Sequence, residues 1–394
     1  MKRKITLVIV LFLIAKITAQ RTPVNVNVFK NNLINFNGDK SQDIEEKRLQ
    51  SGRLIYKKVA IPHFKKGTDV TLKLTVRSNG DRWDKSGSCF VITNPDNIHI
   101  LNVSEGKSKF PKKSYFGKEH GGVKLTETYT PALELLRFMT PFGVGHYSND
   151  KGKHRKPVYI PVWEKEVVWK QDISHLLNAL QKEVYIGVWI DTWTKEGYSC
   201  DLELNFSNRP LKTPEILPLV NSVYYVKGQS LPDNFAKEEL SIEFDLPHNS
   251  KNVKLYYTTT GHGGHSGGDE FIKIKNSVYF NRKMVLDTIP WRDDCASFRR
   301  FNPTSGVWLK KDSASYIDFK AKAYKVKEIE ERIASSDLSR SNWCPGSSVA
   351  PYVINLGMVE KGKHTIKIVI PATEANGDKL NHWLVSAYLT YNKN

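Results

Sequence analysis

The sequence has little of what marks several common classes of protein. Its 394 residues include only 4 cysteines and 4 methionines. The cysteine spacings match no zinc-binding pattern, and no nucleic-acid-binding module is recognisable. After residue 19, no apolar run is long enough to span a bilayer. Helical periodicity is scarce as well. These absences exclude a helical membrane protein and a zinc-finger domain, and they favour a strand-rich fold with no nucleic-acid partner.

Acidic residues are also fewer than basic residues. There are 41 Asp and Glu against 59 Lys and Arg, which gives a formal net charge of +18. Residues 1–19 have the layout of a signal peptide, with a basic start at Lys2–Lys4, an apolar run at Ile5–Ala15 and Ala19 at the cleavage point. Its removal takes away 4 positive charges and no acid, leaving +14. We therefore expect a secreted or periplasmic protein.

The positive charge is spread along the chain and is densest between Lys107 and Lys113. A lysine-rich surface in contact with water is the simplest interpretation, and attraction to acidic glycans or other polyanions is the alternative. Four cysteines in an exported protein suit two disulfides.

Alternation of apolar and polar residues with a period of two predicts strands along most of the chain. Many short strands separated by turns are typical of a β-sandwich or jelly roll. Helices are predicted at Lys325–Ser335 and Ile173–Leu180, and irregular insertions at about 94–130 and 309–338. The prolines between Asn208 and Pro218 predict a boundary between domains at 20–212 and 213–394. The predicted strands are Leu54–Ala60, Val70–Arg77, Cys89–Thr93, Val158–Pro161, Val184–Trp193, Cys200–Phe206, Leu240–Leu246, Val253–Thr260, Ser277–Phe280, Tyr352–Leu356, His364–Pro371 and His382–Tyr391.

One predicted turn concentrates unusual chemistry. The strand ending at Arg77 runs into Ser78-Asn79-Gly80-Asp81-Arg82-Trp83-Asp84, where Asn and Gly tolerate the positive φ of a tight turn. Two carboxylates, a guanidinium and an indole therefore meet at a strand end. This arrangement is typical of the mouth of a site, although a solvated turn with one Arg–Asp pair explains these residues equally well when they are taken alone.

Three further stretches combine acids, arginine and tryptophan. Asp191-Thr192-Trp193 follows a predicted strand, Gly261–Glu270 is a glycine-rich loop that ends in an acid, and Arg340–Gly346 contains an arginine, a tryptophan and a cysteine. Indoles pack against the apolar faces of sugars while carboxylates bind their hydroxyls, so this set suits a sugar-processing cleft. His262 and His265 in the glycine-rich loop leave a metal site as the alternative.

In their order and rough spacing, these features resemble the secreted bacterial amidases of the peptide-N-glycosidase F family. The agreement runs from about residue 22 to the C-terminus. The matching segments are Asp81–Asp84, Arg137–Gly145, Asp191–Trp193, Gly261–Glu270 and Trp343–Gly346.

The resemblance implies an all-β fold, a tandem of two eight-stranded antiparallel jelly rolls with the active site in the cleft between them. It implies a monomeric hydrolase, with no metal or other cofactor, that cleaves the amide between an Asn side chain and the innermost N-acetylglucosamine of N-linked glycoproteins or glycopeptides. The catalytic residues carried over are Asp84, Glu270, Asp191 and Arg340, and the substrate-binding residues are Trp193, Trp343, Arg82 and Asp81.

On this interpretation Asp84 is the general base that deprotonates the attacking water. Arg340 orients the acids, and Glu270 holds the first sugar and assists protonation of the departing nitrogen. We expect a Cys295–Cys344 disulfide to brace the loop that carries Arg340. The remaining cysteines, Cys89 and Cys200, would form the second disulfide.

The sequence departs from the family pattern in three places. Position 191 is Asp where the family has Glu, the glycine-rich loop lacks the two cysteines that flank its acid, and the insertions at 94–130 and 309–338 lengthen two loops. Two other functions stay open: a glycan-binding double jelly roll without catalysis, and a metal-dependent oxidase on a similar fold.

Overall fold

A computed structural model of the protein describes residues 23–41, 43–62, 68–111, 120–149, 160–207, 213–231, 233–263, 268–373 and 381–394. The predicted signal peptide lies outside these residues, and so does His265. Among the residues that the model describes, no helix is long and apolar enough to cross a membrane.

The described chain is almost entirely β-structure. One α-helix, α1, spans Ile100–Ser104, and 3₁₀ helices span Gln50–Gly52, Ser174–Ala179, Asn234–Ala236, Asp269–Phe271, Cys295–Phe301 and Ser335–Asp337. The strands are β1 (Val24–Ile34), β2 (Lys47–Leu49), β3 (Leu54–Ala60), β4 (Asp69–Ser78), β5 (Ser86–Ile92), β6 (Leu133–Met139), β7 (Val167–Asp172), β8 (Glu183–Ile190), β9 (Tyr198–Ser207), β10 (Glu215–Asn221), β11 (Leu240–Leu246), β12 (Ser250–His262), β13 (Asn276–Phe280), β14 (Lys283–Thr288), β15 (Val307–Asp318), β16 (Ala323–Ala334), β17 (Ser348–Val349), β18 (Tyr352–Val359), β19 (Gly362–Val369) and β20 (His382–Lys393).

The N-terminal half forms one β-sandwich, to which the two-residue strand β17 is added from the C-terminal half. Its sheets have the orders β1-β9-β4-β7 and β17-β6-β5-β8-β3-β2, and every pairing is antiparallel. Alternate residues of β4, which are Val70, Leu72, Leu74 and Val76, are fully buried in the shared core, as a period of two requires. All seven residues of β6 are buried because this strand is covered on both faces.

The C-terminal half forms the second sandwich. Its eight strands make two antiparallel sheets with the orders β10-β20-β12-β18 and β11-β19-β13-β14, around a separate apolar core. The prediction of an all-β tandem of antiparallel sandwiches is confirmed. The boundary falls on residues 208–212, which are outside the described chain, so its position stays a prediction.

A buried ion pair ties the two sandwiches together. Arg137 on β6 donates from Nε to Glu134 Oε1 at 2.6 Å, and both side chains are almost fully buried. The same guanidinium donates from Nη1 to Thr260 Oγ1 on β12 and to the Leu384 carbonyl on β20, each at 3.0 Å. Ser386 of β20 also donates to the Glu134 carboxylate. A buried pair with these additional hydrogen bonds fixes the register of the two sandwiches, and with it the relative position of the site residues.

The predicted helix at Lys325–Ser335 is wrong, and so is the prediction that 309–338 is irregular. Strands β15 and β16 form a two-stranded antiparallel hairpin with a pairing register from Val307↔Ala334 to Asp318↔Ala323. The lysines and glutamates that favour a helix are placed opposite one another across the strands instead, as in Lys310↔Glu331.

Most other predicted elements are confirmed within a few residues. The helix at Ile173–Leu180 is present as the 3₁₀ helix. Apart from the hairpin, the strands β1, β2, β6, β7, β10, β14 and β17 were not predicted. The expected strand at Val158–Pro161 lies half outside the described residues, and residues 160–161 are not in a strand. In the described parts of 94–130, the only regular element is α1.

The predicted Cys89–Cys200 disulfide is wrong, since both side chains are buried free thiols. Cys89 lies on β5 and Cys200 on β9, which belong to the two facing sheets of the first sandwich. Both side chains lie in the apolar core that these two sheets share. Burial raises the pKa of both thiols.

Candidate active site

The predicted turn joins β4 to β5, and its shape is set by its first acid. Gly80 adopts a φ of +147°, which a residue with a Cβ rarely tolerates. Asp81 is fully buried. Its Oδ1 accepts from the Trp83 amide at 3.0 Å and its Oδ2 accepts from Thr192 Oγ1 at 2.7 Å. Asp81 therefore holds the turn together, and its burial gives no support to the expectation that it contacts substrate.

The second acid of the turn, Asp84, is fixed through both of its neighbours. The Tyr198 hydroxyl donates to the Trp83 carbonyl at 2.6 Å. On the other side, the Lys85 amide donates to Thr140 Oγ1 at 2.8 Å. A side chain whose backbone is held on both sides is positioned before any ligand binds, which is what a catalytic group needs.

The other two charged residues of the site come from the second half of the chain. Glu270 lies in the 3₁₀ helix Asp269–Phe271 that follows β12, and Arg340 lies between β16 and β17. The amide of Ser341 donates to the Glu270 carbonyl at 2.9 Å, and Arg340 exchanges two backbone hydrogen bonds with Arg292 at 2.8 and 3.0 Å. The Ser341 bond places the segment that carries Arg340 beside the segment that carries Glu270, and the Arg292 bonds hold Arg340 from its other side.

Asp84, Arg340 and Glu270 meet at the junction of the two sandwiches. Arg340 donates from Nε to Glu270 Oε1 at 2.8 Å, while its Nη2 lies 3.9 Å from Asp84 Oδ2. The first contact is a charge-assisted hydrogen bond. The second is too long for a direct hydrogen bond, so Arg340 acts on Asp84 through its charge. We call these three residues the acid–arginine cluster.

Burial makes the electrostatics of this cluster unusual. It raises the pKa of Asp84, an effect that the Arg340 charge partly opposes. It also raises the pKa of Glu270 to about 8, with Arg340 opposing the shift and the charge of Asp84 adding to it. Two acids beside one guanidinium compete to be its counter-ion. With a pKa of about 8, Glu270 keeps its proton near neutral pH.

Arg340 is only 2% exposed, and the body of the protein holds it in place. Its Nη1 donates to the Leu338 carbonyl at 2.7 Å and its Nη2 to the Ser335 carbonyl at 2.9 Å. The guanidinium lies over the rings of Phe271 and Trp343, with its carbon 5.2 and 4.9 Å from the ring centroids. A planar cation clamped in this way can orient both acids without moving itself.

Trp343 supports the cluster from behind. It is 4% exposed, its Nε1 donates to the Gly261 carbonyl at 2.9 Å, and its ring stacks on His262. Burial leaves no open indole face for a sugar, so the expectation of a substrate platform at Trp343 gains no support. His262 also stacks on His382, and burial holds its pKa well below the usual range.

A second cluster contains the other predicted acid and indole. Arg53 Nη1 donates to Asp191 Oδ1 at 2.9 Å, and its guanidinium carbon lies 4.0 Å from the centroid of Trp193. Phe36 packs against the same indole at 5.2 Å. Trp193 is 57% exposed, and the Asp191 side chain is 38% exposed. The Asp191 amide donates to the Ser86 carbonyl at 2.9 Å, so this Arg53–Asp191–Trp193 cluster lies next to the start of β5.

The remaining predicted substrate contact, Arg82, lies at the exposed tip of the turn, with its guanidinium carbon 5.3 Å from the centroid of Tyr147. Trp83 is 58% exposed beside it. Trp83 and Trp193 therefore offer the open indole surface that Trp343 lacks.

Arg53 and Tyr198 were missed by sequence reasoning. Arg53 precedes β3, and the register that pairs Leu54 with Trp189 brings it next to Asp191. Only that register connects the two residues, because 138 positions separate them along the chain. Tyr198 begins β9 and carries no signal in the sequence beyond a strand preference.

Among the residues that the structure describes, no group of three or more His, Cys, Asp or Glu side chains is arranged to hold a metal ion. The predicted Cys295–Cys344 disulfide is confirmed, with a Cα–Cα distance of 5.1 Å. It closes the segment between the 3₁₀ helix Cys295–Phe301 and the Arg340 loop, and so braces the acid–arginine cluster.

Nearly the whole chain matches one known protein family. The N-terminal part of the peptide-N-glycosidase F family matches residues 25–206, and the C-terminal part matches residues 230–390. The chain belongs to the peptide-N-glycosidase F family. No sequence among the curated proteins matches it closely enough to add to this relationship.

Solved structures agree with this family. One structure of PNGF-II is 34% identical with a TM-score of 0.82, and the match covers 97% of this chain and 68% of that one. A second PNGF-II structure is 35% identical with a TM-score of 0.81, covering 94% of this chain and 65% of that one. The chain therefore spans about two thirds of the length of PNGF-II. PNGase F from Flavobacterium meningosepticum, called a glycosylasparaginase, is 13% identical with a TM-score of 0.55 over 95% of this chain and 96% of that one, and shows the shared fold.

Proposed function

We propose that the protein is a secreted amidase that hydrolyses the bond between an Asn side chain and the innermost N-acetylglucosamine of N-linked glycoproteins or glycopeptides. Its products are an Asp-containing peptide and a glycosylamine, which later loses ammonia in water. The observation that carries the proposal is the acid–arginine cluster, in which two acids from different sandwiches, each 16% exposed, share one buried and clamped guanidinium.

The chemistry required is attack of water on an amide carbonyl, a poor electrophile. Asp84 is the general base that takes a proton from the attacking water, a form of help typically worth about 10²–10⁴ in rate. Its distance of 3.9 Å from Arg340 keeps its carboxylate from being tied up in a direct bond. Arg340 offsets the negative charge that develops on the carbonyl oxygen.

Glu270 suits the complementary role. A pKa raised to about 8 keeps it protonated near neutral pH, so it can deliver a proton to the departing glycosylamine nitrogen. The proton removed by Asp84 and the proton supplied by Glu270 balance over one turnover, and exchange with solvent restores both groups.

The Arg53–Asp191–Trp193 cluster suits the sugar side of the substrate. Its exposed indole offers a flat apolar face and its exposed carboxylate offers hydrogen-bond acceptors, while Arg53 holds both from behind. We assign Asp191 and Trp193 to glycan binding, with Arg82 and Trp83 at the rim. Asp84, Glu270 and Arg340 carry the reaction.

The test is to incubate the protein with a defined glycopeptide in isotopically heavy water and measure the peptide by mass spectrometry. Conversion of Asn to Asp with one heavy oxygen incorporated supports the proposal. Binding of the glycopeptide without conversion would replace it with the glycan-binding alternative. Loss of conversion on chelation, with recovery on adding metal, would reopen the metal-dependent alternative.

A further inference from the structure

The hairpin formed by β15 and β16 is separate from both sandwiches. Its strands pair only with each other in the sheet topology of the described chain, and Ala334 is the only buried residue in either strand. Each strand has 12 residues, which makes an arm of about 40 Å. An isolated two-stranded hairpin is marginally stable in water, so a surface that covers part of it would stabilise it.

The distal part of the arm carries apolar side chains on one face. Cross-strand partners share a face of a sheet, and the pairs Ile317↔Tyr324 and Ser315↔Val326 therefore place three large apolar residues together. Phe319, in the turn, is 84% exposed, and Tyr324 is 79% exposed. Exposed apolar groups that cluster in this way mark an interaction surface.

Charge on the arm is segregated along its length. From Asp318 to Lys327 there are 4 lysines and 1 aspartate, a net charge of +3. The half nearer the body, residues 309–313 and 328–332, has 3 basic and 4 acidic residues, a net charge of −1. The turn itself is held by Asp318, whose Oδ1 accepts from the Lys320 and Ala321 amides at 3.0 Å each. The basic charge therefore lies where the aromatic groups are most exposed.

We propose that the arm tip, residues 316–327, binds the surface of an anionic lipid bilayer. Phenylalanine and tyrosine side chains enter the interfacial region of a membrane, and flanking lysines are attracted to anionic headgroups. Contact between the tips of two copies is disfavoured, because both carry +3. The arm base contacts the site directly, since the Ser335 carbonyl that follows β16 accepts from Arg340 at 2.9 Å. When the tip is bound in this way, the active site lies about 40 Å from the membrane, which is the length of the arm.

The test is co-sedimentation of the full chain with vesicles of phosphatidylglycerol and phosphatidylcholine, and with vesicles of phosphatidylcholine alone. The wild type should bind the anionic vesicles and not the neutral ones. Lys320→Ala with Lys322→Ala should lower the partition coefficient roughly 25-fold, since each lysine near the surface contributes about fivefold. Phe319→Ser with Tyr324→Ser should lower it at least about tenfold.

Matched controls separate the tip from the basic surface as a whole. Met358→Ser removes another apolar residue that is 80% exposed, and Lys251→Ala with Lys283→Ala removes two exposed lysines from the second sandwich. Circular dichroism verifies that each variant is folded. The proposal fails if the wild type does not bind anionic vesicles, or if the controls weaken binding as much as the tip variants do. It also fails if ultracentrifugation shows dimers that the tip variants abolish, because a second copy would then be the occupant.

Discussion

The acid–arginine cluster and the Arg53–Asp191–Trp193 cluster use the same kinds of residue in different surroundings. Each has an acid paired with an arginine next to an aromatic ring. In the first, Arg340 is 2% exposed and the acids share it. In the second, Asp191 is 38% exposed, against 16% for each acid of the first, and it pairs with Arg53. Under the proposed function, burial rather than residue type would separate the cluster that moves protons from the one that holds the glycan.

The largest expected effect is in the buried cluster. Asp84→Asn keeps the shape of the side chain but removes the base, so turnover should fall by about 10²–10⁴ while glycopeptide binding stays close to wild type. Steady-state kinetics and a separate binding measurement check both parts. Asp287→Asn, on the surface of β14, is the matched control. Retention of more than about a tenth of the wild-type rate would remove Asp84 from the role of base.

Removing the Cys295–Cys344 disulfide tests how far the acid–arginine cluster depends on the bond that braces its loop. Cys295 and Cys344 are 49 positions apart, and closing a loop of that length is worth about 4 kcal/mol in the chain-entropy model. Changing both to Ala should lower the free energy of unfolding by up to that amount and lower turnover, because the Arg340 loop loses its brace. Denaturant unfolding measures the change in the free energy of unfolding, and steady-state kinetics measures the change in turnover. Reductant should reproduce the loss in the wild type and leave the double variant unchanged.

The raised pKa of Glu270 should be visible in stability. The folded state binds this proton up to about pH 8, whereas the unfolded chain releases it near pH ~4.3. Stability from this group is thus complete below the lower value and is lost as pH rises towards the higher one. Glu270→Gln cannot titrate, so the unfolding free energies of the two proteins should diverge over this range by on the order of a few kcal/mol.

Urea unfolding from about pH 5 to about pH 9 measures this divergence. The wild-type hydrolysis rate should fall as pH rises through about 8, where Glu270 loses its proton. Glu239→Gln, an exposed acid paired with Lys367, is the control and should show no such divergence. Parallel stability profiles for wild type and Glu270→Gln would mean that Glu270 is ionised throughout.

The smallest effect is expected in the exposed cluster. Asp191→Ala should weaken substrate binding about tenfold, which corresponds to ~1.4 kcal/mol for one charged hydrogen bond. Asp191→Glu should be tolerated, because the half-exposed side chain can extend into water. Arg53→Ala should act on the same step, so the double variant should lose less than the sum of the single changes. Values of KM and kcat for the wild type and these four variants measure the loss of binding and the coupling between the two residues. Wild-type behaviour of Asp191→Ala would leave Asp191 as a surface acid.

Local sequence was sufficient for the turn that carries Asp84. A period of two predicted β4, and Asn79 and Gly80 predicted the turn that follows it, because alternation and positive φ are local properties. The order of the acidic and tryptophan motifs predicted the family and the double sandwich. The Cys295–Cys344 bond was also predicted correctly.

Long-range packing decided the rest. Trp193 and Trp343 are the same residue type beside similar motifs, yet one is exposed and the other is buried behind Arg340, because the loops that carry them pack against different surroundings. Lys325–Ser335 is rich in helix formers, and pairing with β15 makes most of it a strand. Cys89 and Cys200 lie on facing sheets of one core and are free thiols there, a pairing outcome that their positions in the sequence do not determine.

The sequence by itself determined which residues could do chemistry. Tertiary structure alone decided which of them meet. Asp84 is 256 positions from Arg340 along the chain, and no local pattern encodes the 3.9 Å that separates their charged atoms. That distance follows from how two sandwiches dock through the buried Arg137–Glu134 pair. The raised pKa values that distinguish the site follow from the same docking, because it removes the acids from water.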